Sequence, residues 1–436
     1  MRNASVWRTV LGLVFVVVEG VRFDEAAGAV VVSVRPKGKA RRRCGRCGRR
    51  APWYDRGRGR RVWRALDAGT VPVWVEADAP RVNCPTHGPT VIQVPWARHD
   101  AGHTRDFDDT VAWLAVHASK SMIVELLGVA WRTVGSILAR VAADIDAGVD
   151  RLAGLRRIGI DEISYKRGHK FLTVVVDHDT GRLVWAAPGR DEDSLRAFFD
   201  LLGEERSRRL THVSADAAKW ISVVVAERCP QAVVCMDPFH VIKWATEALD
   251  EVRRGTWNIA RGGRPQQQVV RRRVSWQRRA HELKRVRWAL WKNPENLTAH
   301  QRHQLEWIAG NHPSLFRAYR LKEGLRYVFS VKGDEGKDAL NRWLAWASRS
   351  QLPAFVELAR RIRRHRTQID ATLEHGLSNA LVESTNTKIR LLTRVAFGFH
   401  GPEPLIALAL LALGYPRPSL PGRPRPLDSN FNAAPN

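Results

Sequence analysis

The sequence predicts a multidomain α/β protein: a strand-rich, cysteine-bearing front, a pair of helices, and an α/β sheet interrupted by a long all-α stretch. Three observations carry that prediction. Strand-like and helical patterns alternate from Arg157 to about residue 250. Strand signals then vanish until about residue 370. Ahead of both, paired Cys/His knuckles sit in a segment rich in Val, Trp, Gly, Pro and Arg. A chain of 436 residues can build two to four domains, each with its own core. Its 71 Lys and Arg against 44 Asp and Glu give a formal net charge of +27. Such a surface releases counterions on meeting a phosphate backbone, so nucleic acid is the favoured partner, although ribosomal and membrane-surface proteins share the composition.

In the first segment (1–104), Val10 to Val18 is apolar and follows Arg2 and Arg8. No small-residue cleavage site follows it, and it falls short of the roughly 20 residues a membrane span needs. A buried strand or short helix is expected there, in a protein that is soluble and cytoplasmic. Ala29–Val34 and Thr70–Glu76 read as strands. From Arg35 to Arg50 there are nine basic residues and no acidic one. Within that run lies Cys44-Gly-Arg-Cys47, and after 36 intervening residues comes Cys84-Pro-Thr-His87. Two ligand pairs of this spacing surround one tetrahedral ion, and Zn²⁺ is the usual occupant. Gly45 and Gly48 permit the tight turn. Four protein ligands leave no open position, so the site is structural and its basic flank is expected along DNA phosphates. The other two cysteines, Cys229 and Cys235, read as reduced, partly buried thiols; five in a chain this long make no disulfide framework.

Residues 105–150 turn helical. Phe107, Val111, Leu114 and Ala118 share one face; Ala130, Val134, Ile137, Leu138 and Val141 share another. Ser119–Leu127, Gly128 and Trp131–Val141 read as helix, turn, helix, with Gly128 where a helix must end at positive φ. Trp131, Arg132, Thr133, Ser136 and Arg140 are expected to face outward, toward a DNA groove. The bland alternative is an ordinary helical hairpin.

From Arg157 a three-strand meander is expected (Ile158–Ile163, Phe171–Asp177, Arg182–Ala187), its turns marked by Lys166-Arg167-Gly168 and Asp179-Thr180-Gly181. Helix Ser194–Leu202, strand His212–Ala215, helix Ala217–Glu227, strand Ala232–Met236 and a helix from about Phe239 follow. The all-α insertion spans 251–370, broken at Gly262-Gly263 and Asn293-Pro294. Between Glu251 and Glu295 it holds 13 Lys and Arg against three acidic residues, interleaved with Trp257, Trp276, Trp288 and Trp291. Exposed indoles could stack on bases, but most are expected in a helical core. Helical signal returns at Leu377–Thr393 and Pro404–Leu413, making 371–415 the last part of the α/β domain begun at 151–250. The Pro-rich tail, 416–436, is expected to be disordered.

Position in this pattern selects three of the 44 carboxylates. Asp161 lies in the first strand, Asp216 ends the strand after the first helix, and Glu383 lies on the helix beyond the insertion. In a ribonuclease-H-like sheet the first and fourth strands are neighbours, so the two aspartates meet and the helix brings Glu383 over them. Three such carboxylates hold two divalent ions, Mg²⁺ or Mn²⁺, for metal-assisted phosphodiester chemistry. Glu162 projects from the opposite strand face and takes no metal in this reading; Asp177 and Asp179 read as solvated turn residues. Asn379, Asn386 and Arg390 share the helix face of Glu383, where a phosphodiester would lie.

With Gly-Ile-Asp161-Glu, Asp216, Asp237-Pro-Phe-His240 and Glu383-Ser-Thr-Asn386, the chain resembles the ISL-three family of bacterial insertion-sequence transposases up to about residue 415. The resemblance implies a zinc finger, a helix-turn-helix and a DDE catalytic domain. It further implies cleavage at the element's terminal inverted repeats and strand transfer into target DNA, with Asp161, Asp216 and Glu383 as the triad. His240 matches a histidine thought to assist such sites; a buried helix-start histidine fits it equally. The partner implied is double-stranded DNA, both element ends and target, bound by a homodimer or higher oligomer, with no membrane. The competing readings are a catalytically silent, sequence-specific DNA-binding descendant of a transposase, and a ribonuclease-H-like nuclease of another class.

Overall fold

The computed structural model describes residues 3–38, 42–262, 283, 285–414 and 416–423. The chain forms two compact units, one made of residues up to Ala153 with those from Thr387 onward, the other of Gly154–Asn386.

The first unit opens with α1 (Asn3–Val10), β1 (Val16–Asp24), β2 (Ala29–Pro36), β3 (Trp53–Asp55), β4 (Arg60–Ala68), β5 (Val71–Asp78), β6 (Arg81–Cys84) and β7 (Gly88–Val91). Four strands run in the order β1-β2-β5-β4, with β2 and β5 parallel; β3-β6-β7 form a small second sheet. Alternate residues of β5, Val73 and Val75, are buried beside Val32 and Trp63, as a half-buried strand requires. The apolar run Val10–Val18 is not one element and is buried only in part, at Leu13 and Val16. Gly12, at φ 57°, breaks it between α1 and β1, and Val10, Val14 and Phe15 are exposed. Among the described residues no single helix is long and apolar enough to cross a membrane. Three helices follow: α2 (Arg105–His117), α3 (Lys120–Leu127) and α4 (Trp131–Asp146).

The second unit is built on a five-stranded sheet of β8 (Arg157–Lys166), β9 (Lys170–Asp177), β10 (Leu183–Pro188), β11 (His212–Ala215) and β12 (Val233–Met236). Its order is β10-β9-β8-β11-β12, with the meander antiparallel and β8, β11 and β12 mutually parallel. The helices α5 (Glu192–Leu202), α6 (Glu204–Ser207) and α7 (Lys219–Arg228) connect the strands. The first and fourth strands are therefore neighbours, as expected. A parallel pair needs a crossover, and α5 with α6 supplies it between β10 and β11.

Beyond β12 the fold is helical: α8 (Pro238–Gly262), α9 (Arg287–Trp291), α10 (Ala299–Asn311), α11 (Pro313–Ser330), α12 (Gly333–Ser348), α13 (Pro353–Arg364) and α14 (Arg366–His375). Leu249, Leu315, Leu325, Trp343 and Phe355 sit in one core. Of the interleaved tryptophans, Trp257 and Trp291 pack against that core, while Trp288 is exposed with the Arg287 guanidinium over its ring. Trp276 and Gly263 lie outside the described residues. Then come α15 (Ala380–Val395) and α16 (Pro402–Leu413). Residues 416–423 hold no helix or strand, and the rest of the expected disordered tail, 424–436, lies outside the described residues.

The helix-turn-helix keeps its expected limits at the turn. Ser119 caps α3 by accepting from Met122 N, and Gly128 ends it at φ 62°. Val134, Ile137, Leu138 and Val141 of α4 are buried with Ile123, Phe107 and Val111. Ala407, Leu408 and Leu411 of α16 enter the same core, although the sequence groups that helix with the α/β sheet. Gly135 allows the approach, since a Cβ there would lie 3.3 Å from Pro404.

Arg140 does not face outward as expected. Its guanidinium grips Asp108, which is wholly buried, through two bonds of 3.1 and 3.2 Å. A second arginine, Arg98, reaches Asp144 at 3.0 Å, Asp109 at 2.6 Å and Asp108 at 3.7 Å. Arg98 is buried, but Asp108 keeps Arg140, Asp144 keeps Arg105, and Asp109 is partly exposed. Loss of Arg98 thus costs less than breaking a fully buried pair, about 1–3 kcal/mol. Arg98→Met should therefore lower the thermal unfolding transition of this unit by several degrees in calorimetry, and an unchanged transition would show the network to be energetically idle.

Candidate functional site

Two clusters of chemically active side chains emerge, one in each unit. In the first, Cys44, Cys47, Cys84 and His87 bring their ligand atoms within 4.8 Å of one another. Cys44 and Cys84 Sγ each lie 3.6 Å from His87 Nδ1, and Cys47 Sγ lies 3.7 Å from Cys84 Sγ. Those are tetrahedron edges for a zinc ion, which expects about 3.7 Å between sulfurs and about 3.6 Å between sulfur and nitrogen. Burial opposes ionisation of Cys84, yet backbone N–H groups of Thr86 and His87 and the His87 ring hold its thiol down to about 6. Gly48 turns the knuckle at φ 69°. Gly45 serves differently: a Cβ there would lie 2.6 Å from the Val91 carbonyl and from the His99 ring. Of the basic flank, Arg35, Lys37, Arg42, Arg46, Arg49 and Arg50 are exposed, and residues 39–41 lie outside the described ones. Cys229 and Cys235 are fully buried rather than partly so, and burial pushes their thiols up to about 12 and about 11.

On the helix-turn-helix, Arg132 and Ser136 are exposed, while Trp131 and Thr133 are half-buried. The Trp131 ring lies 5.2 Å from Lys120 Nζ, which also sits 3.9 Å over the Phe399 ring. Burial lowers that amine to about 8.

The second cluster lies where α15 meets the five-stranded sheet. Asn379 is buried at the start of α15 and spends its whole amide on the sheet. Its Nδ2 donates to Ile160 O on β8 at 3.2 Å, its Oδ1 accepts from Ser214 Oγ on β11, and its backbone N–H donates to Asp237 Oδ1 at 3.2 Å. Ser214 has one proton and gives it to Asn379, so His178 Nε2, 2.7 Å away, must donate to Ser214. Gly159 makes room for this junction, since its Cβ would fall 2.4 Å from Val382 and 2.9 Å from His178.

Two turns along the same helix, Asn386 Nδ2 donates to Asp161 Oδ2 at 2.8 Å, and the other oxygen of Asp161 accepts from Glu162 N at 2.8 Å. The two amides thus face the sheet and are buried, so they are not open to a phosphodiester as expected. Glu383 stands between them, and Arg390 is exposed further along. Asp216 accepts from Ala218 N at 2.9 Å and lies 3.7 Å from His240 Nε2; His240 Nδ1 lies 3.0 Å from Asp237. The hydrogen bond to Asp237, aided by Asp216, raises the His240 pKa.

Burial raises Asp161 to about 7, with repulsion from Glu162 and Asp216 adding to it. Burial and then Asp216 likewise raise Glu162, whose Oε1 lies 3.5 Å from Arg190 Nε. Glu162 thus raises Asp161 and is raised by Asp216, although it is assigned no metal. Asp161, Asp216 and Glu383 do not all come within 4.8 Å of one another; among the described residues only the Cys/His cluster does so. Asp179 is a turn residue paired with Arg157, but Asp177 is buried and accepts from Thr180 and Asp179 N. Sequence reasoning missed Asp237, Ser214 and His178 as members of this network. Asp237, a carboxylate closing a buried strand, carried a signal of the same kind as Asp216.

Comparison with known proteins gives a concordant picture. A family profile described as a transposase, of the ISL3 DDE type, matches residues 158–409. A profile for the zinc finger of transposases IS204/IS1001/IS1096/IS1165 matches 40–87, and one for the helix-turn-helix domain of transposase family ISL3 matches 92–142. The chain is 61% identical over 438 aligned residues to the transposase for insertion sequence element IS1557 of Mycobacterium tuberculosis, spanning 97% of this chain and 98% of that protein. It is 26% identical over 391 residues to the transposase for insertion sequence element IS1001 of Bordetella parapertussis, spanning 88% and 92%. The zinc-finger match and the Cys/His geometry together support a structural zinc.

Two outcomes are expected. Purified chain should carry one zinc by atomic emission, lost with Cys84→Ser or a strong chelator together with near-ultraviolet structure of the front segment; full retention of structure without zinc would rule out a structural ion. Asn379→Ala should leave the Ser214 hydroxyl and Ile160 O unmatched at about 1–3 kcal/mol for each group that stays dry, while the backbone N–H that serves Asp237 is kept, read as a lower denaturation midpoint. A midpoint equal to that of the parent chain would mean water replaces the amide.

Proposed function

The chain belongs to the ISL3 family of transposases, and from that premise we propose that it binds the terminal inverted repeats of an insertion sequence and cuts and joins DNA there by a DDE mechanism. The observation that carries the chemistry is the docking of α15 on β8: Asn379 bonds to Ile160 and Asn386 to Asp161, with Glu383 between them. In this reading the five-stranded sheet with its flanking helices is a ribonuclease-H-like core, running through 151–250 and 371–415 around the insertion at 251–370. Residues 1–104 and 105–150 are the zinc-binding and helix-turn-helix parts.

Asp161, Asp216 and Glu383 are the residues that would hold a pair of Mg²⁺ or Mn²⁺ ions. The donor set fits: it is all oxygen, as a hard cation prefers, and two further oxygens beside Asp161, Glu162 Oε2 and Asn386 Oδ1, are buried without a hydrogen-bond partner. When bound, such a pair supplies activation of the attacking oxygen and stabilisation of the leaving one. The chain's own groups do the rest. The Asn386 amide and the Glu162 N–H fix the Asp161 carboxylate from two sides. Asp237 holds His240 by Nδ1, which aims Nε2 at Asp216 and lets that nitrogen carry or release a proton there. Exposed Arg132, Ser136 and Arg390, with the basic flank of the zinc knuckles, suit phosphate contacts. Double-stranded DNA at both element ends and at the target is the partner, and holding two ends at once calls for at least a dimer.

The test is a strand-transfer assay on a DNA substrate that carries the element's own ends. Asp161→Ala and Asp216→Ala should each lower activity at least a thousandfold while mobility-shift binding to the ends stays within a few-fold of the parent. Equal transfer by the parent and Asp216→Ala would remove that residue from the mechanism.

A further inference from the structure

Asn386 is 2% exposed and uses only half of its amide. Nδ2 is committed to Asp161, while Oδ1 is buried and has no hydrogen-bond partner among the described residues. An ionised Asp161, which is the form that binds a cation, fixes this orientation. Turned over, the amide would set Oδ1 against Asp161 Oδ2, acceptor against acceptor. Holding Asp161 needs only the donor half of the amide, and the buried acceptor half is left without a task there. The residue next to Asp161 on the strand shows the same defect: Glu162 Oε2 is also buried and unmatched. Two buried acceptors, one on β8 and one on α15, thus lack a donor of protons, and that of Asn386 belongs to the amide that holds Asp161.

A water bound to a divalent ion is such a donor, because the cation polarises its O–H bonds. Mg²⁺ and Mn²⁺ retain several waters when carboxylates bind them, and neighbouring groups that accept from the bound shell tune affinity. We propose that Asn386 is a positioning residue with two tasks: Nδ2 orients the Asp161 carboxylate, and Oδ1 accepts from a water on the ion that Asp161 binds. This rests on the reading of Asp161 as a metal ligand, and it replaces the role of Asn386 as a DNA contact, which its burial denies.

The test measures Mn²⁺ binding by titration calorimetry and electron paramagnetic resonance on the full-length, zinc-loaded chain without DNA. Four proteins are compared: parent, Asp161→Asn, Asn386→Leu and Asn386→Asp, with circular dichroism to verify folding. Asn386→Leu should weaken Mn²⁺ binding about 10- to 100-fold. Asn386→Asp keeps an oxygen for the hydrated ion but sets a second carboxylate against Asp161. It should bind Mn²⁺ more tightly than Asn386→Leu if the oxygen serves the ion, and no better if the amide serves only to hold Asp161. The second result overturns the proposal. Should Asn386→Leu not fold, Asn386→Asp decides alone, with affinity within tenfold of the parent as support and a larger loss as refutation. If the parent shows no Mn²⁺ binding that Asp161→Asn removes, the carboxylate reading itself has failed and takes this inference with it; binding lost in Asp161→Asn but untouched in both Asn386 variants defeats the inference alone.

Discussion

A single buried residue, Asn379, joins the three strands on which the carboxylates depend. Its carboxamide bonds to β8 through Ile160 O and to β11 through Ser214, and its backbone N–H donates to Asp237, the residue closing β12. Each partner adjoins a proposed catalytic group: Ile160 precedes Asp161, Ser214 stands two residues before Asp216, and Asp237 carries His240. Because a buried polar atom left unmatched costs as much as a hydrogen bond gains, every member of this network penalises any other arrangement. The insertion separates α15 from the sheet by more than a hundred residues, yet the amide fixes where the helix must land.

The first unit is organised by a different force. Its helical core is apolar, but its rim is a charge network in which Arg98 and Arg140 converge on the buried Asp108. Arg98 belongs to the segment that follows the zinc knuckles, and Asp108 and Asp144 belong to α2 and α4, so this network ties the metal-bearing part to the helix-turn-helix. The α16 helix closes the same core with Leu408 and Leu411. Two small modules with separate apolar cores are coupled by charge in this way.

The elements were legible where periodicity and turn chemistry agree. The strand His212–Ala215 has the limits its pattern predicts, α3 ends at the glycine chosen for its positive φ, and the paired knuckles meet across 36 intervening residues. What could not be read was direction within a face. Arg140, Asn379 and Asn386 sit at positions the helical period marks as outward or site-facing, and each instead serves a buried carboxylate or a strand carbonyl. Helical period assigns an azimuth; it does not say whether a long polar side chain finds water or an acceptor folded over it from elsewhere. For the same reason the sequence gives no warning that α16 completes the helix-turn-helix, because an apolar helix carries no label for its partner.

The register of α15 follows from these contacts with little freedom. Asn379 and Asn386 stand seven residues apart, two turns of helix, so they share an azimuth and both reach β8. Advancing the helix by one residue would rotate it about 100° and pull both amides from their acceptors together. Glu383 stands between them and inherits that placement. The carboxylates can then be kept in a partly buried place where their mutual repulsion and desolvation are unfavourable, Asp161 being raised to about 7, because the cost is met by amide bonds that any relaxation of the helix would have to break. A site of repelling charges persists only on a frame that is more strongly determined than the charges are, and two asparagines on one helix face provide that frame.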